Sequence, residues 1–477
     1  MIPTQQIARK SRTRASDAPR AVRHGQWLLF LIALVLVAAG SLYAALSTVV
    51  RVDTILLAGS ELRLPGRLAR LPGLDIAPAP AGALTDRINI LVMGVDRRPH
   101  HNPEWDGPPR TDSIMIVSLD PQTKSGSVVA IPRDLYLEVP DPKGGTGIWD
   151  TRVNTAYHYG ALYKYPGGGA ALARATVEHN FKIPIDYHAV IDWTAFADII
   201  DALNGIEIIV PETLRGVEAY GVRDGNSFPI TIAAGRQRMD SITALAYSRF
   251  RDDADGDFGR VRRQQQVMQA ALEKGLALGW LGRTPSLYAR FRGAVESDIG
   301  LARLPGLTAL VKLVGPERLV MSSVAGRNGE NVTRRITPQG EDVLVPVWES
   351  MGRALAEAIP DERLESEHAT VKLVNAAGWR DFATLTARAL AGYGVPPAYL
   401  QPTDNERVDR RIKTTLTVYG DKDYSAQRIA MLLGVPGAQI QHKDELLREA
   451  GEADIVVMLG QDVRLPDSSR YDHFSTR

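Results

Sequence analysis

No cysteine occurs in the 477 residues, which excludes disulfides, zinc–thiolate sites and cysteine nucleophiles and leaves the redox compartment open. Charge of one sign is equally lacking. The 56 basic and 55 acidic side chains leave a net charge of +1, so no global field directs the molecule to nucleic acid. Lysine is scarce, 11 residues against 45 arginines, so an arginine cluster found locally is partly a matter of overall bias. The length accommodates two or three domains, each able to bury its own core.

What is present is strongly regional. Residues 1–26 hold Arg9, Lys10, Arg12, Arg14, Arg20 and Arg23 against one acid, Asp17, the composition of a disordered basic tail. Trp27 to Val50 follows as 24 uncharged residues, long enough to cross a hydrocarbon core of about 30 Å as a helix. Positive charge before the span keeps the tail cytoplasmic and predicts that everything after Arg51 is extracytoplasmic. A cleaved signal peptide is the competing reading, since Ala38, Ala39, Ala44 and Ala45 supply small residues, but the apolar run exceeds a usual signal core. Residues 51–86, broken by Pro65, Pro72, Pro78 and Pro80, read as a stalk.

The most distinctive stretch is Tyr247 to Gln266, YSRFRDDADGDFGRVRRQQQ. It carries five arginines and four aspartates and no lysine. An extended R-F-R segment puts Arg249 and Arg251 on one face. In the helix that follows, Arg260 and Gln264 lie one turn apart, with Val261, Met268 and Leu272 as the apolar stripe. Planar guanidiniums gathered at one place suit a pyrophosphate, each donating two parallel hydrogen bonds. The plainer alternative is mutual pairing of arginines and aspartates on a solvated surface.

Upstream, Ile88 to Val95 is a buried-strand run ending in Asp96-Arg97-Arg98, and Ser113 to Leu119 is a second strand opened by Arg110-Thr111-Asp112. Two carboxylates at strand ends suit Mg²⁺, which also binds phosphate oxygens; turn or cap roles are the ordinary reading of such aspartates. The His100, His101, Glu104 and Asp106 cluster between them reads as a solvated loop rather than a metal site. A third strand, Val128 to Ile131, runs into Pro132-Arg133-Asp134. The Gly167-Gly168-Gly169 run lacks the Gly-Lys-Ser/Thr ending of a phosphate loop and gets no nucleotide role. Further alternation includes a helix from Ala170 to Phe181, a strand from Tyr187 to Ile191, an amphipathic helix from Trp193 to Leu203 and a strand from Ile206 to Val210. It predicts a three-layer α-β-α sandwich.

In order and spacing, GVDRR (94–98), RTDSIMIVSLD (110–120), AIPRDLYLEVP (130–140), VNTAY (153–157), IPIDYHAVIDW (183–193), DALNGIEIIVP (201–211) and the arginine stretch resemble the LytR-CpsA-Psr family. The resemblance covers residues 87 to about 360 and implies a type II membrane protein of the bacterial envelope. It implies transfer of a glycopolymer from a polyprenyl-pyrophosphate carrier to peptidoglycan, at a muramic acid hydroxyl. By matching motifs it implies Mg²⁺ on Asp96 and Asp112, catalytic roles for Arg110, Arg133 and Asp134, and pyrophosphate binding by Arg98, Arg249, Arg251, Arg260 and Gln264. Asp112 and Asp134 are the candidates for accepting the acceptor's proton. The helix Trp193 to Leu203 is expected to line a tunnel for the lipid tail or else to be plain core, and Trp149, with the GGTG loop before it, lengthens a region on the acceptor side.

Residues 361–367, DERLESE, read as a charged hinge closing a domain over 87–366. Residues 367–465 read as a small α/β unit whose VKLVNAAGW, TLTVYG and ADIVVMLGQD segments resemble the LytR-type C-terminal domain, with no catalytic constellation. Residues 466–477 read as a loose tail. Two other functions stay open at this level: hydrolysis of the same pyrophosphate, and a non-enzymatic envelope protein that binds glycolipid or regulates wall assembly. Oligomeric state is not legible.

Overall fold

The computed structural model describes residues 86–97, 107–222, 225–252, 255–278, 295–300, 303–404, 410–435, 439–449, 451–464, 471 and 473–476. The basic tail, the apolar span 27–50, nearly all of the stalk, the paired histidines and Arg98 lie outside them. Among the described residues no helix is long and apolar enough to cross a membrane.

The first part is built on strands β1 (Ile88–Val95), β2 (Thr111–Asp120), β3 (Ser125–Ala130), β4 (Tyr136–Pro140) and β5 (Ile148–Arg152). Helices α1 (Thr155–Leu162) and α2 (Gly168–Phe181) follow, then β6 (Tyr187–Ile191), α3 (Trp193–Ala202), β7 (Ile206–Val210), β8 (Leu214–Tyr220), β9 (Ser227–Ile232) and β10 (Gly235–Met239). After these come α4 (Ser241–Arg249), α5 (Gly256–Ala277), β11 (Val295–Ser297), α6 (Leu304–Val314), β12 (Leu319–Ser323), β13 (Val332–Ile336), β14 (Asp342–Pro346) and α7 (Trp348–Ala358). Six strands form one mixed sheet, ordered β11-β6-β1-β2-β3-β12. Side chains alternate through it as the pleat requires. Leu91, Met93, Ile114, Ile116 and Val129 pack with α1, α2 and α7 on one face, while Ile88 and Leu119 meet α6 on the other and Met115, Val128 and Ala130 meet Val261 of α5. Helices thus cover both faces.

The glycine run serves packing. Gly167 takes the left-handed conformation at the start of α2, and a Cβ on Gly169 would lie 2.5 Å from the Tyr157 carbonyl oxygen, so α1 and α2 approach only because glycine stands there. Trp149, in the β4–β5 hairpin, packs edge-on against Tyr159 and Tyr163, at 5.6 Å from each ring.

The second part has its own core. Helix α8 (Glu362–Glu367) leads into β15 (Val371–Asn375), α9 (Phe382–Gly392), β16 (Leu400–Thr403), β17 (Thr415–Tyr419), α10 (Asp423–Leu433), β18 (Ile440–Lys443) and β19 (Ile455–Leu459). The sheet runs β16-β15-β19-β17-β18, with Leu373, Leu416, Ile429 and Val457 buried between it and the helices. Two expectations fail here. The charged stretch 361–367 is not a hinge: Asp361 caps α8 through Leu364 N–H and pairs with Arg428 at 2.9 Å, and Leu364 is buried. Charge density marked a packed helix rather than a solvated linker: Glu362 pairs with Arg87, and Glu367 accepts from the Tyr424 and Ser425 N–H groups. Nor is the described part of the tail loose. Tyr471 and Phe474 pack against Tyr136, Val343 and Val345, Tyr471 Oη donates to Asp150, and β20 (Ser475–Thr476) pairs with β13. Burying one such ring contributes about 1.5–3 kcal/mol, which the polar neighbours in sequence concealed.

At the seam between the two parts, Arg87 bridges Asp120 at 2.8 Å and Glu362 at 2.6 Å. The two carboxyls share one site. Burial, then hydrogen bonding to Asp120, pushes the Glu362 carboxyl up to about 7. The folded state therefore holds a proton that the unfolded chain releases, and stability falls as pH rises from the ordinary glutamate range towards 7. Glu362→Gln is expected to flatten that slope, read as melting temperature against pH between 5 and 8; an unaltered slope would refute the assignment.

Candidate functional site

The sheet's β1–β2 end organises the site. Antiparallel pairing runs regularly from Ile88–Leu119 to Gly94–Ser113, then jumps to Val95–Thr111, leaving Asp112 without a ladder partner. Regular pleating would send Asp112 and Ser113 to opposite faces. The bulge instead lets both line one cavity, a device that re-aims a side chain at a sheet rim. Asp96 stands one residue past β1, its N–H held by the Arg110 carbonyl at 3.1 Å.

Around Asp112 lies a compact basin of paired charges. Arg133 donates to Asp112 at 2.7 Å and lies 3.5 Å from Asp134 and 3.9 Å from Asp257. Asp257, in the first turn of α5, pairs with Arg260 at 2.6 Å. Arg152, at the end of β5, approaches Asp134 at 3.7 Å. Burial works against the Arg133 charge, but Asp112, Asp134 and Asp257 outweigh it and hold the guanidinium above its ordinary range. Burial raises the Asp257 carboxyl, with Arg260 opposing, and lowers Arg260, with Asp257 opposing. Arg260 is 5% exposed, so its charge persists by virtue of that partner. The N-terminus of a 22-residue helix points its positive end into the same place.

Beside the basin, between β1, β2, α3, α4 and α5, lies an apolar cavity of about 250 Å³. Trp193, Phe196 and Ile199 of α3 line it with Leu245, Val267 and Met268, while Asp112, Ser113, Asp192, Ser248, Arg249 and Gln264 supply polar groups. The apolar side of Trp193–Ala202 is thus pocket lining as well as core.

Arg249 is not in a strand. It ends α4, and its guanidinium stacks on the Trp193 ring at 4.2 Å. Only Phe250 is extended, as the helix cap, and Arg251 is exposed, so the pair does not share a strand face. The helix wins because Asp240 caps it through Thr243 N–H at 2.8 Å and Leu245, Ala246 and Tyr247 bury its other side. Helix α5 also carries more than the expected stripe: Arg260, Arg263 and Val267 are buried beside Val261, and Arg263 donates to the Phe250 carbonyl at 2.6 Å.

The structure therefore brings Asp112, Arg133, Asp134 and Arg260 together and sets Arg249 and Gln264 on the adjoining cavity. Arg110 is exposed, and Arg98 lies outside the described residues. Residues not singled out from sequence complete the surroundings. Arg152 and Asp257 join the basin; the i, i+3 spacing of Asp257 and Arg260 was the available signal. Tyr157 Oη accepts from Arg97 at 3.3 Å and donates to Glu296 at 3.1 Å, and burial with the Glu296 charge pushes its hydroxyl up to about 12. Arg97 also lies 3.9 Å from Asp192, the cap of α3. Among the described residues no three His, Asp or Glu side chains group closely enough to hold a metal alone. The carboxylates that the resemblance gives to a hard cation, Asp96 and Asp112, stand at the neighbouring ends of β1 and β2. Such a pair fits Mg²⁺ only as a partial shell that water and phosphate complete.

An α/β domain that sets buried arginines beside an apolar cavity is equipped for an amphiphile with an anionic head. The profile of the LytR_cpsA_psr family matches residues 75–346, and the chain belongs to that family. Regulatory protein MsrR of Staphylococcus aureus is 34% identical over 215 residues, 45% of this chain and 57% of that protein. The polyisoprenyl-teichoic acid–peptidoglycan teichoic acid transferase TagU of Bacillus cereus is 32% identical over 216 residues, 45% of this chain and 61% of that one. The matched region thus spans about 57% to 61% of these relatives. The match to a crystal structure of B. subtilis TagV, at 25% identity with TM-score 0.45, covers 58% of this chain and 98% of that one.

Proposed function

We propose that the protein transfers a glycopolymer from a polyprenyl-pyrophosphate carrier to a muramic acid hydroxyl of peptidoglycan, with the span 27–50 anchoring it and its folded part extracytoplasmic. The observation that carries the reading is Asp112, shared by the arginine basin and the apolar cavity. One holds a diphosphate and the other a hydrocarbon tail. TagU is named for a transfer of the same type.

In the reaction the acceptor oxygen bonds to the phosphorus that carries the glycopolymer. The bond from that phosphorus to the polyprenyl phosphate breaks, and the hydroxyl proton passes to a carboxylate of the basin, Asp112 or Asp134. Arg133, Arg249 and Arg260 oppose the negative charge that gathers on the phosphoryl oxygens, the main source of rate in such transfers. Mg²⁺ on Asp96 and Asp112 would add a Lewis acid for the same oxygens. Arg133 meets the phosphate while shared among Asp112, Asp134 and Asp257, which hold its guanidinium in place.

The test uses full-length protein in detergent, a lipid-pyrophosphate glycan donor and a peptidoglycan glycan acceptor, with products followed by mass. A glycan–phosphate–glycan conjugate that is lost in Asp112→Ala and Arg249→Ala is the expected result. Release of glycan phosphate into water without conjugate would instead establish a hydrolase.

A further inference from the structure

We propose that the cleft bounded by α5, β12 and α7 is the acceptor subsite, and that it takes a glycan strand rich in hydroxyls and N-acetyl amides. The proposal rests on the transferase reading and assigns it a second binding site. Helix α5 lies across the sheet and separates two cavities. Its Gln264, Val267, Met268 and Ala271 face the apolar one, whereas Phe258, Val261, Arg262, Gln265 and Gln269 face a cleft of about 810 Å³. That volume falls within the roughly 300–1,000 Å³ of ligand sites.

The chemistry of the cleft differs from that of the basin. Arg262 pairs with Asp255 and Arg353 with Glu349 at 3.4 Å, while Arg327 faces Glu330 and Glu357 across a lining of near-balanced charge. Such a wall suits a strand of low charge density better than a diphosphate. Neutral hydrogen-bonding groups from Gln269, Ser322, Asn331 and Ser350 line the walls. Val320, 60% exposed on β12, and Met321 offer apolar surface for sugar ring faces and acetyl methyls.

Position agrees with chemistry. Asp257 and Arg260 of the basin occupy the same turns of α5 as Phe258, Val261 and Arg262 of the cleft, and the two sides of a helix lie only about 10–12 Å apart. At the tip of α5, a Cβ on Gly256 would meet none of the described residues within 4 Å. On its other side the cleft is bordered by β12, the edge strand of the sheet, which lets a polymer pass through rather than stop.

Ala354 is half-buried on α7 and lines this cleft, so Ala354→Trp should fill it. With full-length protein, lipid-pyrophosphate donor and a peptide-free tetrasaccharide of alternating N-acetylglucosamine and N-acetylmuramic acid, acceptor KM is expected to rise at least tenfold. Donor KM should stay within twofold. Gln269→Ala, a milder change on an accessible helix face, should raise acceptor KM severalfold. Unchanged acceptor KM in both variants would overturn the assignment, as would a stem peptide that competes as well as the saccharide. If wild-type protein forms no conjugate, the transferase reading falls, and calorimetric binding of the tetrasaccharide decides the cleft separately. Binding that Ala354→Trp abolishes supports the cleft; no binding, or equal binding by both proteins, overturns it.

Discussion

Arg260→Ala is expected to lower conjugate formation by about 10²–10³-fold, the loss typical of one preorganised charge-stabilising group, and to destabilise the fold by about 3–5 kcal/mol. The second effect arises because Asp257, paired with Arg260 at 2.6 Å, is left buried with its closest counter-charge gone. The two effects separate by pH. Burial already holds the Asp257 carboxyl above its ordinary range, and without Arg260 it should rise further. The folded variant then binds a proton that the unfolded chain releases, so its stability deficit shrinks as pH falls from neutrality towards about 4. Asp257→Asn combined with Arg260→Gln should restore much of the melting temperature at pH 7 and none of the transfer. Recovery of transfer in the double variant would reduce Arg260 to a structural residue.

The second large effect concerns the donor's tail. Ala271 lines the apolar cavity with Trp193 and Phe196, and Ala271→Trp would occupy much of its 250 Å³. KM for long-chain donors should rise about 10–100-fold while donors truncated to a short alkyl chain are scarcely affected. In the wild type each added CH₂ should tighten binding by about 0.8 kcal/mol, roughly fourfold, until the cavity is full. Equal loss for short and long donors would mean that the substitution had disturbed Arg249 on Trp193 instead. No dependence on chain length in the wild type would remove the tail from this cavity altogether.

Local patterns were legible where one force dominated. The apolar run over Ile88–Val95 and the amphipathic run from Trp193 declare their elements because burial decides them. What was not legible depended on competition. The R-x-R segment alternates like a strand, yet the Asp240 cap and the buried side of Ser241–Arg249 carry the helix through Arg249. The bulge at Asp112 leaves no mark in composition, since it is a choice of register between two strands. Arg152 and Asp257 enter the basin from a hairpin end and a helix start, brought there by the packing of layers far apart in the chain. Residues 361–367 and 471–474 show the converse error, in which polar character read as solvation was satisfied by partners that sequence does not reveal.

The return of the chain has a topological consequence. Helix α8 leaves the first domain through contacts with Arg87 and Arg428, and Tyr471 to Thr476 rejoin it beside Tyr136 and along β13. Between these crossings Arg428 donates to the Lys182 carbonyl and Gly352 of α7 lies against the Gly392 carbonyl of α9, so the second domain is held along its flank as well as at both chain crossings. A single backbone cut within it would leave two pieces that both remain attached to the domain carrying the basin.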